Sequence, residues 1–544
     1  MKALPTIVLL LLLLVAAVDN KAQTVQSASY STLLQLTSEL RLLERTSLPG
    51  GVPDYRSTTI RTIQQTLGLL KARHAAMDTT AWPLEHKVDY VLVLSELNAL
   101  DFYCRILQPW ARDPSFYALL FAEQSDTPEH EGPTSFAAIE LWQYRFPLNA
   151  AAEQQLMEQL RVIPPLYEQA RKNLTGTARD LWLAGTGDVK GQLVLLDELS
   201  AKTRTNSRQL QEAIANAKTA TLQFISWLEQ QAPSKTGPSG IGKENYNWYL
   251  RNVLLIPYTW DDEVALLSRE LARAYASLEL ERANNSKLPP LQPYKTEQEF
   301  AAGADAHARQ LMRFLSEQKI MPVQPFWEPA LRQHLGSFVP EEKRNFFGNM
   351  VHHAPGVLYS HLTHWFEVAA LTEAPHSSLI RRGALAFNLW MQRSEGLATS
   401  LEETLMLAGL WNENPRAKEL VWIMLAQRCA RGLASLYAQD NQMNFEEARR
   451  YQMQWTPSGW AGDESLAGFE QHLYLRQPGY GTSYVTGKYF IERMMMDVAR
   501  KEGTQFTLYR FFEQFYNAGI MPVSLVNWQL TGDDNLIRAC FKKQ

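Results

Sequence analysis

Long tracts of helical periodicity constrain the fold of this chain more strongly than any other feature of its 544 residues. Residues Gln209–Gln231 place apolar side chains at the three- and four-residue spacing of an amphipathic helix. Thr259 and Asp262 stand in near capping-box positions and predict the start of another helix, of about 25 residues, to Ala283. No stretch sustains the polar–apolar alternation that is typical of strands, so the sequence predicts an all-α fold.

The composition allows a large folded core and argues against a nucleic-acid partner. Hydrophobic residues make up 46% of the chain and charged residues 20%, which excludes global disorder. The formal net charge is −4, and no basic stripe offers a track for phosphates. The sequence also lacks a Gly-rich phosphate loop and a Gly-x-Ser-x-Gly elbow.

The first residues predict an export signal. Residues Ile7–Val18 form a run of twelve apolar residues, which is shorter than the roughly 20 that a membrane-spanning helix needs. Small residues follow near the expected cleavage point, and the signal peptide is predicted over residues 1–22. No cysteine follows the run, which argues against a lipid anchor. We expect an exported protein, periplasmic or secreted, without membrane contact after cleavage; an uncleaved anchor is the alternative.

A Pro-containing segment divides the predicted helices into two parts. Residues Pro233–Pro238 are the best linker candidate in the chain. They predict an N-terminal helical part over residues 23–235 and a C-terminal helical part over residues 236–544. The three cysteines, Cys104, Cys429 and Cys540, lie far apart without a Cys-x-x-Cys pair, so they predict no cysteine zinc site and leave open whether one disulfide forms.

A dense group of histidines marks the candidate site. Residues Phe346–Glu367 contain four of the chain's eleven histidines: His352, His353, His361 and His364. A carboxylate, Glu395, follows in the segment RSEGLATSLEE. Neutral imidazole and carboxylate are the ligands with which a hydrolase holds zinc, and such an enzyme also needs a general base.

Several motifs in order resemble one family. Residues Val351–Leu358 read VHHAPGVL and Glu395–Ala398 read EGLA, beside a family pattern of His-Glu-Ala-x-x-Gly-His-His followed by Glu-Gly-Trp-Ala. Residues Arg476–Lys488, RQPGYGTSYVTGK, are similar to a later family segment that has a glutamate eight residues before its proline, as Glu470 is here. Over residues 85–530 the chain resembles the domain-of-unknown-function-885 family. That resemblance implies a large helical zinc-peptidase-like fold with a deep central groove.

The family's ligand positions are only partly filled. Aligned on Pro355-Gly356, either His352 takes the general-base position, or, with one residue deleted, His352 takes a ligand position and His353 the base position. Val357 and Leu358 replace the later histidine pair and cannot bind metal. The resemblance therefore implies a vestigial site of His352 and Glu395, with no catalytic residue and no cofactor.

A displaced site is the alternative. A predicted helix over Val357–Leu371 would make His361 and His364 surface neighbours, three residues apart, and Glu395 could join them around zinc. The simpler interpretation, which we favour from sequence, makes His361 a hydrogen-bonded residue at the core edge and His364 a flanking residue.

Further site residues follow from the resemblance. It places four residues near a substrate groove: Tyr246, Tyr249, Tyr258 and Glu470. It also makes Tyr484 a possible oxyanion donor. Buried aromatic residues more often serve packing alone, so a structural role is the alternative for each tyrosine.

Three functions remain open from sequence. The favoured hypothesis is a non-catalytic, exported relative of metallopeptidases that binds peptides or a protein partner. The alternative is an active zinc-dependent peptide hydrolase with a rearranged site. A metal-free glycosidase or lyase would use Glu395 and Glu402, which share a helix face two turns apart.

Overall fold

The structure is a computed structural model that describes residues 29–43, 45–125, 132–462 and 464–542. The predicted signal peptide, residues 1–22, lies outside these described residues. The described chain folds almost entirely into helices that are joined by short loops. The prediction of an all-α fold is therefore confirmed.

The N-terminal half contains eight α-helices and two short strands within the described residues. The helices are α1 Tyr30–Leu43, α2 Ser57–Ala75, α3 Leu84–Phe102, α4 Pro109–Arg112, α5 Ala150–Leu160, α6 Ile163–Asn173, α7 Arg179–Lys202 and α8 Arg208–Gln231. The strands β1 Leu120–Phe121 and β2 Ile139–Glu140 pair in parallel. A π-helical turn spans Tyr103–Leu107, and 3₁₀ turns span Pro114–Tyr117, Leu141–Gln143 and Ala232–Ser234.

The C-terminal half carries the histidine segment and the longest buried helices. Its helices are α9 Lys243–Asn252, α10 Trp260–Asn284, α11 Glu297–Glu317, α12 Trp327–Arg332, α13 Phe346–His353, α14 Pro355–His361, α15 His364–Glu373, α16 Met391–Leu407, α17 Ala417–Gln439, α18 Phe445–Trp455, α19 Glu464–Arg476, α20 Tyr480–Glu502, α21 Leu508–Asn517, α22 Val523–Thr531 and α23 Asn535–Phe541. Two 3₁₀ turns span Glu341–Lys343 and Gly503–Gln505.

The two helices predicted from local pattern form as expected. Helix α8 begins one residue before the predicted start, because the Ser207 side chain accepts a hydrogen bond from the Leu210 amide and caps the helix. Helix α10 begins with a complete capping box, in which the Thr259 and Asp262 side chains each bond the other's backbone amide.

The prediction of one continuous helix over Val357–Leu371 is wrong. It is broken at Leu362 and Thr363 into α14 and α15. The Thr363 hydroxyl donates to the His361 carbonyl at 3.4 Å, so the side chain competes for a backbone acceptor that a continuous helix would use. Because of this break, His361 ends one helix and His364 begins the next.

A bundle of buried helices forms the centre of the molecule. Helix α16 packs along α20, and α10 packs along α17. At the crossing of α16 and α20, a Cβ atom on Gly396 would overlap the Gly487 backbone, so both glycines are needed for this close approach. Helix α17 is buried on nearly all faces, as expected of an interior helix.

The predicted linker is packed against the N-terminal part. The Lys235 side chain is buried, lies over the Trp182 ring and donates to the Gly176 carbonyl at 2.8 Å. One continuous hydrophobic cluster contains residues from both parts, from Leu33 to Cys540. The division at residue 235 stays a prediction.

The structure also bears on the cysteines and on the absence of a predicted membrane-spanning helix after the signal peptide. Cys104, Cys429 and Cys540 are each buried, and none of them forms a disulfide in this structure. In the part of the chain that the structure describes, no helix combines the length and the apolar character that crossing a bilayer requires.

Candidate metal centre

Three side chains meet where α14, α15 and α16 converge. His361 is the last residue of α14, His364 the first of α15, and Glu395 lies in the first turns of α16. One ligand atom of each lies within 4.8 Å of the others, and no other such group occurs among the described residues. We call His361, His364 and Glu395 the ligand group.

The spacing within the ligand group matches one face of a tetrahedral zinc site. His361 Nε2 lies 3.4 Å from His364 Nε2. Glu395 Oε2 lies 3.2 Å from His364 Nε2 and 3.6 Å from His361 Nε2. Donors that each bind zinc at about 2.1 Å in tetrahedral geometry are separated by roughly 3.4 Å. A single proton can bridge only one pair of these atoms, whereas a divalent cation would satisfy all three.

Glu395 is held as an anion that faces the two imidazoles. Tyr480 donates its hydroxyl to Glu395 Oε1 at 2.6 Å, which fixes one carboxylate oxygen. The other oxygen, Oε2, is buried without a well-aligned hydrogen bond. Burial alone would raise the pKa of Glu395, but the neighbouring His364 and the Tyr480 hydroxyl lower it below its ordinary value. The carboxylate is therefore charged at neutral pH, and its Oε2 atom faces the two imidazoles.

His361 is held in the neutral form that a metal requires. Its side chain is 8% exposed. Burial, reinforced by the Arg428 guanidinium, lowers the pKa of His361 well below its ordinary value. Because the ring stays unprotonated at neutral pH, one of its nitrogens presents a lone pair.

A second carboxylate, Glu402, lies on the other side of the His361 ring. Its Oε1 atom is 3.0 Å from His361 Nδ1, and Arg428 binds both of its oxygens at 2.7 and 2.8 Å. Burial raises the pKa of Glu402 to about 7, while Arg428 opposes that shift and favours the anion. The imidazole stands between Glu395 and Glu402, so the two do not flank an open space as a glycosidase pair must.

Further charged groups surround the ligand group on α17. The Arg431 guanidinium lies 3.9 Å above the Tyr484 ring and pairs with the buried Glu470. The Tyr484 ring lies nearly parallel to the His361 ring at 6.0 Å. Tyr484 is thus next to the ligand group, and its oxyanion role stays a prediction.

The histidines at the family's motif positions lie outside the ligand group. His352 Nδ1 bonds the Gly348 carbonyl at 2.7 Å, and its Nε2 accepts the Val339 amide at 3.0 Å. His353 Nδ1 bonds the Asn349 carbonyl at 2.8 Å. Both rings turn back onto their own helix, and the structure does not bring His352 together with Glu395 in a three-ligand group.

The four residues expected at a groove are placed differently from one another. Tyr246 is buried and donates its hydroxyl to Glu263 at 2.7 Å. Tyr249 is also buried but borders a cavity of 140 Å³. Tyr258 is half-buried near Tyr489. Glu470, which is buried and pairs with Arg431, also accepts hydrogen bonds from Gln427 and Gln452.

A large open cavity lies against the segment that carries the histidines. It has a volume of 1270 Å³. Leu362 and Trp365, which directly follow His361 and His364, form part of its wall. Phe121 and Asp188 line it from the N-terminal part. The ligand group therefore lies just behind the wall of a cavity that is large enough for a peptide segment.

Two buried arginines near the ligand group were not predicted as site residues from the sequence. Arg428 and Arg431 are buried on α17, which is otherwise apolar over much of its length. Two charged residues, three apart, in an apolar helical run were the available signal, because buried charges need partners. The pattern could not show that those partners are Glu402 and Glu470.

The fold recurs in two solved structures, both described as putative lipoproteins. The one from Shewanella oneidensis, of unknown function, aligns with a TM-score of 0.69 at 15% identity and covers 93% of this chain and 100% of that chain. The one from Colwellia psychrerythraea aligns with a TM-score of 0.66 at 12% identity and covers 93% of this chain and 99% of that chain. Identities this low establish a shared fold alone. No family model and no curated protein matches the chain, so the resemblance to the domain-of-unknown-function-885 family stays a prediction.

Proposed function

We propose that this chain is a zinc-binding protein whose ion is held by His361, His364 and Glu395. The observation that carries the proposal is the triangle of two imidazole nitrogens and one carboxylate oxygen with sides of 3.2, 3.4 and 3.6 Å. Nitrogen and oxygen donors in this number and spacing suit zinc, and they leave a fourth position free.

The surrounding residues prepare the ligands for a cation. Tyr480 orients the Glu395 carboxylate, and burial keeps His361 neutral. Bound zinc supplies a Lewis acid that activates water and polarises a carbonyl group. The Arg431 and Tyr484 side chains add positive charge and a hydroxyl close to the ligand group.

Peptide binding is the proposed role of the adjoining cavity. It combines apolar walls at Leu362, Trp365 and Phe121 with the charged Asp188, a mixture that suits an extended peptide. The protein is proposed to bind peptides without cleaving them, because the family's base position holds His352 or His353. Each of these rings has a nitrogen committed to a backbone carbonyl.

Peptide hydrolysis is the second candidate function. The position of the cavity favours it, since its wall includes the residues that directly follow both histidine ligands. An active site would then use a base outside the motif position. This candidate requires that peptides are cleaved only by the zinc-loaded protein.

Export is proposed from the sequence. The apolar run Ile7–Val18 has the length of a signal-peptide core. The two proteins of similar fold are described as lipoproteins, which agrees with this location but is a statement about those proteins.

Titration of metal-free protein with zinc tests the proposal. We expect about one ion per chain, and loss of that binding in Glu395→Gln, which removes the anionic ligand. Failure of the wild-type protein to bind zinc would refute the proposal. Peptide cleavage by the wild-type protein that disappears in Glu395→Gln would favour the second candidate over binding alone.

A further inference from the structure

Glu402 and Arg428 form a buried pair that touches the ligand group from behind. Glu402 lies seven residues after Glu395, two turns along the same face of α16. Its carboxylate is fixed by two hydrogen bonds from Arg428 on α17, at 2.7 and 2.8 Å. Both side chains are at most 2% exposed. The pair therefore has a rigid position that does not depend on solvent.

The His361 ring connects this pair to the other two ligands. Its Nε2 atom faces His364 and Glu395, whereas its Nδ1 atom lies 3.0 Å from Glu402 Oε1. A neutral imidazole carries its one proton on only one nitrogen. For Nε2 to offer a lone pair to a cation, the proton must be on Nδ1, where an acceptor has to receive it.

Two charged side chains lie against His361 Nδ1, and only one of them can accept a proton; the ring also forms a hydrogen bond with the Ala398 carbonyl. Arg428 Nη2 lies 3.1 Å from this nitrogen, but a guanidinium has donors only. If Arg428 donated to Nδ1, the ring proton would be on Nε2 and would block metal binding. If Nδ1 donates to Glu402, then Nε2 is free for the cation and Arg428 serves to hold Glu402.

We propose that Glu402, held by Arg428, is a positioning residue that sets the metal-binding tautomer and orientation of His361. This inference rests on the proposed zinc site. A carboxylate that accepts from the second nitrogen of a histidine ligand raises the basicity of that ligand, and loss of such a partner weakens metal affinity by about 10- to 100-fold.

The adjacent residue Glu403 provides a matched control. Glu403 is also ion-paired, with Arg273 of α10 at 2.8 Å and Lys488 of α20 at 3.0 Å, and neither pair includes His361. Glu402→Gln and Glu403→Gln therefore make the same chemical change in the same turn of α16. Only the first of these substitutions removes the carboxylate partner of a histidine ligand.

Zinc titration of the two variants and the wild-type protein tests the inference. Glu402→Gln should bind zinc about 10- to 100-fold more weakly than wild type, whereas Glu403→Gln should stay within about twofold. Thermal unfolding of the metal-free proteins checks that both variants fold. If wild type binds zinc and Glu402→Gln binds it equally well, or if Glu403→Gln loses as much affinity, the positioning role is refuted while the zinc site stands.

The tautomer itself has a separate readout. Nitrogen-15 NMR of zinc-loaded wild-type protein should show His361 protonated at Nδ1. Protonation at Nε2 would overturn the inference whatever the affinities are. If the wild-type protein takes up no zinc at all, both the zinc site and the role of Glu402 are refuted.

Discussion

The two histidine pairs of this chain begin only nine residues apart, at His352 and His361, yet their rings have different partners. His352 and His353 lie on α13, and each bonds a backbone carbonyl four residues back on its own helix. His361 and His364 lie on either side of a helix break, and their Nε2 atoms face each other at 3.4 Å. The first pair forms hydrogen bonds within its own helix, whereas the second pair faces the Glu395 carboxylate on α16.

The histidines at the positions of the resembled motif are therefore not the histidines of the ligand group. The family pattern points to His352, whose two nitrogens already have protein partners. The ligand group instead uses histidines that have no counterpart in that pattern. A residue becomes a candidate ligand when its lone pair converges with others, and sequence alignment alone does not report convergence.

We expect the largest difference between the two histidine pairs in how much an alanine substitution weakens zinc binding. His361→Ala and His364→Ala should each lose more than about 100-fold in affinity, beyond the range seen for partners of ligands. His352→Ala should bind zinc as the wild-type protein does. Calorimetric titration measures all three. Loss of zinc binding in His352→Ala, with binding kept in His361→Ala, would reverse the assignment.

A substitution at the helix crossing tests whether the ligand group depends on the packing beneath it. A Cβ atom at Gly487 would overlap the Gln392 carbonyl and the backbone of Gly396, which adjoins Glu395. Gly487→Ala should cost about 3 kcal/mol of unfolding free energy and about tenfold in zinc affinity, because α16 must move.

The control for this crossing is Gly191→Ala on α7. A Cβ atom there meets nothing within 4 Å, so alanine should stabilise the protein by about 0.5–1 kcal/mol through its higher helix propensity. Urea unfolding compares the two variants. Equal stability of Gly487→Ala and the wild-type protein would mean that the close crossing does not hold Glu395.

The motif histidines should matter for stability and not for metal. His352→Ala leaves the Val339 amide without its acceptor and removes the ring that stacks on Phe300, so we expect a loss of about 1–2 kcal/mol. His353→Ala should cost about 0.5 kcal/mol or less, because that ring is only partly buried. Urea unfolding of the metal-free variants decides this, and a larger loss in His353→Ala would contradict the burial argument.

The smallest effect is a pH dependence that belongs to His352. Burial, supported by the nearby Arg344 and opposed by the Gly348 carbonyl, lowers the pKa of His352 below its ordinary value. In the unfolded chain this ring takes up a proton near pH 6.5, whereas the folded chain resists protonation. Its contribution to stability is therefore complete above pH 6.5 and is lost as the pH falls through the lower, folded-state pKa.

A variant at this position isolates that contribution. In His352→Gln the unfolding free energy should fall less steeply between pH 6.5 and 5 than in the wild-type protein. Urea unfolding at several pH values measures the slope. An unchanged slope would show that His352 is not protonated on unfolding in this range.

The sequence predicted what depends on local pattern. Helices α8 and α10 follow from apolar spacing and capping residues, which act over a few positions. Glu395 and Glu402 were expected on one helix face from their spacing alone. The break at Thr363 was not expected, although it decides how His361 and His364 face each other.

Contacts between distant segments could not be predicted. The ligand group needs the packing of α14, α15 and α16, and the pair of Glu402 with Arg428 needs α17 as well. From sequence, the displaced site of His361, His364 and Glu395 was an alternative that we did not favour. The favoured non-catalytic hypothesis includes no bound metal, whereas the zinc proposal rests on the geometry of the ligand group.

X-ray absorption of the zinc-loaded wild-type protein tests the central claim most directly, because it reports the atoms bound to the ion. We expect two imidazole nitrogens and one carboxylate oxygen at about 2.0–2.2 Å, with the imidazole signal halved in His364→Ala at a zinc concentration that saturates this weaker variant. Zinc surrounded by oxygen atoms alone, or an imidazole signal that survives His364→Ala unchanged, would contradict it.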